Sequence, residues 1–326
     1  MCMAASYDLI VIGGGPSGMA AAIRAKEKGV KEILIIEREE DLGGALVPCI
    51  HNGFGKEVLG KEATGPELIH FFISKLDEFN IEYKLSTIVI DFNSEGIITY
   101  MNPKEGICFI KAKSVIFATG SREKYTGKIH IATKNYTGIY TLGTVHRLIN
   151  LQGYLPGKEV VIMDSSDIAM TVAQSLVVEG ADVKAIIESS SEIKATQSKN
   201  KKIPKDFNIP ILYNSVIKEV MGKERVSKVK ILNKETNEYS EIDCDGLVLS
   251  VAWRSEIDLL KKARIKIEED SLTPLINEEL MTSQKGVFVC GTLINTKSLV
   301  KEAIETGYIA GEAAEKYIKE YMNIYS

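Results

Sequence analysis

The stretch YDLIVIGGGPSG at residues 7–18 decides how this chain folds. Its first half is a short apolar run rich in β-branched side chains, which is typical of a buried parallel strand. Glycines follow in the order Gly13-x-Gly15-x-x-Gly18, and residues 19–28 continue with a helical pattern. The stretch therefore predicts a strand, a tight turn and a helix, which together open an α/β fold.

Each glycine in this pattern has a chemical role at a dinucleotide site. Gly13 permits the tight turn, Gly15 lets a pyrophosphate approach the backbone, and Gly18 lets the helix pack closely on the strand. The free N–H groups at the helix start attract the anion. A second apolar strand at 33–36 ends in Glu37, which can accept the hydroxyl protons of an adenosine ribose. Because strand, helix and acid all have the required spacing, we prefer a dinucleotide site to a chance glycine-rich turn.

The composition is that of an ordinary globular protein. The chain has 326 residues, of which 45% are hydrophobic and 26% charged, so its length predicts two domains. A net charge of −4 gives no sign of nucleic-acid or anionic-membrane binding. No apolar stretch has the length of a membrane span, and no signal peptide is visible, so a cytoplasmic location is expected.

The βαβ pattern restarts in the middle of the chain, where a strand at 158–163 precedes a helix at 168–178. The distance from turn to helix end is 16 positions in both copies, from 13 to 29 and from 164 to 180. The distance from turn to acid is 24 positions in both, from 13 to 37 and from 164 to 188. The chain therefore contains two copies of one nucleotide-binding unit.

The second copy has lost its glycines. Asp164, Ser166 and Ala169 stand at the three glycine positions. Serine places a Cβ where the pyrophosphate approaches, and an unscreened carboxylate near the phosphates costs up to roughly 4 kcal/mol. Alternatively, Asp164 turns outward and the site still works. We therefore expect NAD(P) binding by this copy to be doubtful. Separately, a solvated face is preferred to an anion site for the lysines at 194, 199, 201, 202 and 205.

The remaining patterns complete the fold class. Antiparallel hairpins are predicted over 81–117, and further β-rich runs lie over 211–251. A last helix over 297–320 carries small residues at spacings of three and four. We expect two Rossmann-like domains with parallel central sheets and antiparallel β-meanders. The expected segments are a first domain at 1–150, a second at 151–254, and a return to the first at 255–326.

Several longer motifs resemble two-dinucleotide-domain flavoproteins of the pyridine nucleotide-disulfide oxidoreductase class. They include the loop at 43–55, Ala118-Thr119-Gly120, and the segment from Thr282 to Gly291. The resemblance implies that the first βαβ unit binds FAD. The residues that it assigns to FAD are Gly13, Gly15, Pro16, Ser17, Gly18, Glu37, Arg38, Gly43, Gly44, Ala118, Thr119, Gly120, Gly291 and Thr292.

More narrowly, the chain resembles a subgroup found beside FAD-dependent glycerol-3-phosphate dehydrogenase, with relatives described as sarcosine oxidase α-type subunits. Its second domain carries Gly-Ser-Gly-Asp-Ile-Gly where this chain has residues 164–169. In the wider class an acid after the last small turn bonds the ribityl chain of the flavin, and here Thr292 stands there. The first departure weakens the NAD(P) inference, and the second weakens but does not remove the FAD inference.

The loop at 43–55 is where the class places its redox cysteines, and this chain has only Cys49 there, with His51 two positions on. A thiolate beside an imidazolium could act as a nucleophile. The alternative is a packing cysteine and a hydrogen-bonded histidine, which we prefer because the five cysteines contain no CxxC pair. Dithiol chemistry and a metal site are not expected. Arg122 and Glu123 could orient a cofactor, but linker ion pairs are the preferred interpretation.

The resemblance and the residues together predict an FAD-dependent oxidoreductase. It would pass electrons between an acceptor and either a small-molecule substrate or a partner flavoprotein dehydrogenase subunit, in a homo- or hetero-oligomer. The alternative is a non-catalytic flavin-binding subunit of a dehydrogenase complex, with a structural or regulatory role.

Overall fold

A computed structural model of the chain describes residues 6–93, 95–124 and 136–325. The chain forms two compact units, one made of residues 1–122 and 253–326 and the other of residues 123–252. Within the described residues, no helix is both long and apolar enough to cross a membrane.

The elements alternate as a βαβ sequence predicts. In chain order the helices are α1 (Pro16–Glu27), α2 (Lys56–Leu59), α3 (Gly65–Glu78), α4 (Leu142–Gln152), α5 (Asp167–Val178), α6 (Ser198–Asp206), α7 (Asp258–Lys262) and α8 (Val300–Tyr325). The strands are β1 (Ser6–Ile12), β2 (Ile33–Ile36), β3 (Glu82–Lys84), β4 (Ile88–Phe92), β5 (Ile97–Asn102), β6 (Gly106–Phe117), β7 (Ser121–Lys124), β8 (Ile139–Thr141), β9 (Glu159–Met163), β10 (Asp182–Ile187), β11 (Ile211–Leu212), β12 (Ser215–Gly222), β13 (Val226–Asn233), β14 (Tyr239–Asp243), β15 (Gly246–Leu249), β16 (Ala252–Ser255) and β17 (Val287–Val289).

The first unit is built on a seven-stranded sheet in the order β3-β2-β1-β6-β5-β4, with β17 also pairing with β6. Strands β3, β2, β1, β6 and β17 run parallel, whereas β4 and β5 form an antiparallel meander on β6. In the parallel register Ile12 lies opposite both Ile36 and Phe117. The turns after β1, β2 and β6 therefore open at the same edge of the sheet.

The second unit has a five-stranded parallel sheet in the order β11-β10-β9-β15-β8 and a three-stranded antiparallel sheet β12-β13-β14. Met163 lies opposite Ile187 and Leu249, so the turns after these strands also share one edge. The mixed sheet of the first unit and the two sheets of the second confirm the expected fold class of parallel central sheets with antiparallel meanders.

The unit boundary lies earlier than the expected boundary at 150/151. The chain enters the second unit after Arg122. The boundary is early because β8 pairs with β15 as an edge strand of the second sheet, and α4, which follows β8 directly, therefore also belongs to the second unit. A three-residue strand is too short to show the alternating pattern of a strand, so its sequence cannot be distinguished from that of a connecting segment.

The small residues of α8 pack against α1, as their spacing predicts. A Cβ at Gly307 would overlap the carbonyl oxygen of Ser17, and a Cβ at Gly311 would overlap that of Ala21. These two glycines therefore set how closely the two helices approach beneath the glycine-rich turn.

Gly311→Leu is expected to lower the free energy of unfolding by roughly 2 to 3 kcal/mol, because no space exists for the new side chain. Leucine is the better helix former, so any loss must come from packing. Urea unfolding of the variant measures it. Ile309→Ala, on the exposed side of the same helix, is the control and should change little. Equal midpoints for Gly311→Leu and the wild type would contradict the packing argument.

Candidate functional site

The turn after β1 has the conformation of a dinucleotide-binding loop. Gly13 has φ of +109°, and a Cβ there would overlap the carbonyl oxygen of Ala118. Its N–H donates to the carbonyl oxygen of Ile36 at 2.8 Å. A Cβ at Gly18 would overlap the carbonyl oxygen of Gly13. The first and third glycines are therefore required by the fold of this turn itself.

Gly15 is different, because nothing in the protein requires a glycine there. Its φ is −70°, which any residue adopts, and a Cβ at this position would meet no atom within 4 Å. It is the N-cap of α1, where the first backbone N–H groups of the helix are free to bind an anion. The open space over Gly15 is therefore what a bound pyrophosphate needs.

Glu37 is held by the same turn. Its carboxylate accepts hydrogen bonds from the N–H of Gly14 at 2.6 Å and from the N–H of Glu39 at 3.0 Å. Only 6% of its surface is exposed. The acid is thus fixed at the end of β2, in the position from which a ribose can be recognised.

Two further turns lie against this loop. A Cβ at Gly291, whose φ is +73°, would overlap the Oγ of Ser17, and the Oγ of Thr292 would lie 3.4 Å from a Cβ at Gly120. The hydroxyl of Thr119 donates to the carbonyl oxygen of Glu256 at 3.0 Å. The structure therefore gathers the predicted turns after β1, β6 and β17 at one sheet edge.

The first glycines of the long loop also reach this edge. The N–H of Gly43 donates to the carbonyl oxygen of Gly14 at 2.9 Å. A Cβ at Gly44 would stand 3.3 Å from the Cα of Gly15. Both have positive φ, which allows the loop to lie flat against the turn.

Arginines near this edge make ion pairs. Arg38 lies 3.7 Å from the carboxylate of Glu256, and Arg122 lies 3.3 Å from the same group. Arg122 also donates to Asp258 at 3.0 Å. Glu123 accepts from the Gly143 N–H at 2.8 Å and from the hydroxyl of Thr141. Arg122 therefore forms ion pairs, as preferred from the sequence, but not with Glu123.

The structure does not support Cys49 as an activated nucleophile. Burial raises the pKa of its thiol to about 12, the opposite of the shift that a reactive thiolate needs. The thiol donates to the carbonyl oxygen of Ala45 at 3.3 Å, and Nδ1 of His51 lies 3.1 Å from the carbonyl oxygen of Asn52. The packing interpretation of these two residues is the one that the geometry favours.

The second unit repeats the first unit's turn at the level of single hydrogen bonds. Asp164 has φ of +95°, close to that of Gly13. Its N–H donates to the carbonyl oxygen of Ile187 at 3.0 Å, just as the N–H of Gly13 donates to the end of β2. An aspartate thus occupies a left-handed conformation that favours glycine.

The acid of the second copy is held as the first one is. Glu188 accepts from the Ser190 N–H at 2.8 Å, matching the bond between Glu39 and Glu37. The hydroxyl of Ser165 donates to the other carboxylate oxygen at 2.5 Å, in the place of the Gly14 N–H. The repeat predicted from spacing is therefore also a repeat of geometry.

Lys194 is a site residue that sequence reasoning assigned to a solvated face. Its ammonium lies 3.0 Å from Glu188 and 3.2 Å from Asp164. Burial alone would lower its pKa, but Glu188 and Asp164 raise it, so the ammonium stays charged. The carboxylate that was expected to repel phosphate therefore has a cation beside it.

Two residues, Ser165 and Asp167, fix the segment that carries Lys194. The Oγ of Ser165 accepts from the Lys194 N–H at 2.9 Å, and the Ser165 carbonyl oxygen accepts from the Ala195 N–H at 2.8 Å. The carboxylate of Asp167 accepts from the N–H groups of Thr196 and Gln197. Because a loop of this kind has no periodic pattern, the position of Lys194 could not be predicted from the sequence.

Ser166 stands at the second glycine position, where its Cβ is expected to obstruct the pyrophosphate. The Oγ of Ser166 is buried, so the hydroxyl turns into the unit and not out over the helix start. The N–H of Ser166 donates to Asp164 at 3.3 Å. The backbone N–H at the second glycine position is thus already used here, whereas in the first turn it is the N–H of Gly14 that donates to a carboxylate.

The pKa of Glu188 makes the stability of the second unit depend on pH. Burial alone would raise this pKa, but hydrogen bonds from Ser165, Ser190 and Lys194 lower it from 4.5 to about 2. A lowered folded-state pKa stabilises the fold above pH 4.5, and the contribution disappears as the pH falls toward 2. We expect a loss of roughly 3 kcal/mol across that window.

Urea unfolding followed by circular dichroism at decreasing pH measures this loss. Glu188→Gln is the control, because it removes the titrating group and should show a shallower dependence on pH. Identical pH profiles for the variant and the wild type would show that Glu188 does not carry the effect.

Comparison with known proteins identifies the family. The model of the family "Pyridine nucleotide-disulphide oxidoreductase" matches residues 7–310. A thioredoxin reductase of Peptoclostridium litorale is 29% identical over 323 residues, covering 96% of this chain and 98% of that protein. A ferredoxin–NADP reductase of Ignicoccus hospitalis is 26% identical, covering 96% and 98%. The crystal structure of T. acidophilum thioredoxin reductase shares the fold, with a TM-score of 0.77, 21% identity and coverage of 95% and 98%.

These matches refine two expectations. The relatives found are thioredoxin reductase-like, so the expected resemblance to the glycerol-3-phosphate dehydrogenase or sarcosine oxidase subgroup is not supported. They also give no support to the doubt about NAD(P), since the family is described by its pyridine nucleotide. Since the family model spans nearly the whole chain, this protein belongs to the pyridine nucleotide-disulphide oxidoreductase family and is an FAD-dependent oxidoreductase.

Proposed function

We propose that the protein transfers electrons between a nicotinamide nucleotide and an acceptor by means of FAD, without using a dithiol of its own. FAD would bind in the first unit and the nicotinamide nucleotide in the second. The observation that carries the proposal is the matched hydrogen bonding of the two turns, each with a buried acid at the end of the next strand.

The residues of the first unit fit FAD. The space over Gly15 and the free N–H groups of α1 suit the pyrophosphate, and Glu37 suits the adenosine ribose. The turns at 118–120 and 291–292 would lie along the remainder of the cofactor, together with Pro16, Ser17, Arg38, Gly43 and Gly44. When bound, the flavin supplies the redox chemistry, and these residues supply position and charge.

The second unit fits a nicotinamide nucleotide once Lys194 is taken into account. The like-charge cost expected at Asp164 assumes an unpaired carboxylate, but its Oδ1 lies 3.2 Å from the Lys194 ammonium. The family's description points in the same direction. We therefore include NAD(P)H among the substrates.

A disulfide is not the acceptor that we propose. Relatives are named thioredoxin reductase, but the sequence has no CxxC pair. Cys49, Cys108, Cys244 and Cys290, the cysteines among the described residues, are all free. Other relatives are named ferredoxin–NADP reductase, which favours an acceptor that takes electrons directly from the flavin. A small molecule or a partner flavoprotein dehydrogenase subunit also meets this requirement, and we place the reaction in the cytoplasm.

Anaerobic reduction tests the proposal. The purified protein, loaded with FAD, should show the visible absorbance of oxidised flavin, and NADH or NADPH should bleach it. Failure of FAD to bind would refute the proposed site in the first unit. A flavin that binds but is not bleached by either nucleotide would refute nicotinamide nucleotide use and favour electrons from a partner subunit.

A further inference from the structure

We propose that the second unit selects NADH over NADPH, and that the group formed by Glu188, Ser189 and Ser190 is what rejects the 2′-phosphate. The inference rests on the proposed function, because it assumes that this unit binds a nicotinamide nucleotide.

The first step is the place of Glu188 in the repeat. It follows β10 as Glu37 follows β2, and both acids hold the second residue after them through its backbone N–H. In a unit of this kind the end of the second strand lies beside the adenosine ribose. The groups around Glu188 therefore face the position where the two nucleotides differ.

Second, the hydroxyl groups of Ser189 and Ser190 can accept hydrogen bonds from a ligand but cannot donate to it. The hydroxyl of Ser190 has two acceptors, the carboxylate of Glu188 at 2.7 Å and the carbonyl oxygen of Glu192 at 2.9 Å, and that of Ser189 donates to Glu188 at 3.3 Å. A hydroxyl has one proton, so each serine oxygen then offers only lone pairs. A ribose 2′-hydroxyl can donate to such an oxygen, whereas a 2′-phosphate oxygen at neutral pH has little to donate.

The third step is the charge. Residues 188–193 include Glu188 and Glu192 but no lysine or arginine. The ammonium of Lys194 lies 3.4 Å from the Oγ of Ser189, but it pairs with both Glu188 and Asp164, so one positive charge faces two negative ones. A 2′-phosphate adds close to two negative charges. The net negative charge of this group therefore disfavours NADPH, and the two serine hydroxyls offer a 2′-phosphate no donor of their own.

The test compares both nucleotides on the FAD-loaded protein. We expect kcat/KM for flavin reduction to be at least about tenfold higher with NADH than with NADPH, or about 1.4 kcal/mol. Calorimetry with NAD⁺ and NADP⁺ should give the same order of affinities without turnover. Ser189→Arg, at an exposed position, should move the NADPH-to-NADH ratio of kcat/KM upward by at least about tenfold.

Ser240→Arg is the matched control, because it adds the same charge at an exposed position of β14 in the same unit and should leave the ratio nearly unchanged. Equal use of the two nucleotides, or a preference for NADPH, by the wild type would overturn the inference and leave the proposed function standing. Reduction by neither nucleotide would overturn both. An unchanged ratio in Ser189→Arg would show that this position does not face the 2′ group.

Discussion

Gly15→Val is expected to weaken FAD binding by at least about 100-fold, or about 3 kcal/mol, while the apo protein keeps its stability. Gly15 has an ordinary φ of −70°, and a Cβ there would have no protein atom within 4 Å. A side chain at this position would therefore extend into the space that we assign to the pyrophosphate. The measurements are the flavin dissociation constant and the thermal unfolding of the apo variant.

The comparison with Gly13→Val separates binding from folding. Gly13 has φ of +109°, and its Cβ would overlap the carbonyl oxygen of Ala118. That variant should lose both flavin and stability, whereas Gly15→Val should lose flavin alone. Normal FAD affinity in Gly15→Val would contradict the proposed position of the pyrophosphate.

Lys194→Met is expected to weaken NADH binding by at least about 30-fold, because it leaves the carboxylate of Asp164 without its ion pair. An unpaired charge near a phosphate costs up to roughly 4 kcal/mol at short range, which is about three decades of affinity. The dissociation constant of NAD⁺ and the KM for NADH are the quantities to measure. Lys184→Met is the control, since Lys184 pairs with Glu159 and Asp182 in the same unit.

A double-mutant cycle shows how Lys194 acts. If it neutralises Asp164, the loss caused by Lys194→Met should largely disappear in an Asp164→Gly background. Asp164→Gly also restores glycine at a φ of +95°, so that single variant should be stable. The same loss in both backgrounds would mean that Lys194 contacts the nucleotide directly, and the neutralisation argument would be wrong.

The sequence was sufficient to predict the fold and the relative positions of the turn and the acid in both copies. The spacing from turn to acid is the same in the two copies because a strand and a helix of fixed length separate them. That spacing fixes where Glu37 and Glu188 lie relative to Gly13 and Asp164, and the hydrogen bonds follow. The close approach of α8 to α1 was predictable for a similar reason, since small residues at helical spacing lie on one face.

The parts that the sequence missed depend on loops and burial. Lys194 reaches Asp164, 30 positions earlier, only because Ser165 and Asp167 anchor its segment. The thiol of Cys49 has a raised pKa because the loop buries it. β8 is three residues long and joins the second sheet by pairing alone. None of these three features produces a periodic pattern or a motif from which it could be predicted.

A crystal structure of the protein grown with FAD and NAD⁺ tests the central claim most directly. The account predicts an FAD diphosphate over Gly15 with its ribose on Glu37, and a separate NAD⁺ whose adenosine ribose lies beside Ser189 and Ser190. A first-unit turn that holds no dinucleotide, or an NAD⁺ bound anywhere other than the turn at 164–166, would contradict it.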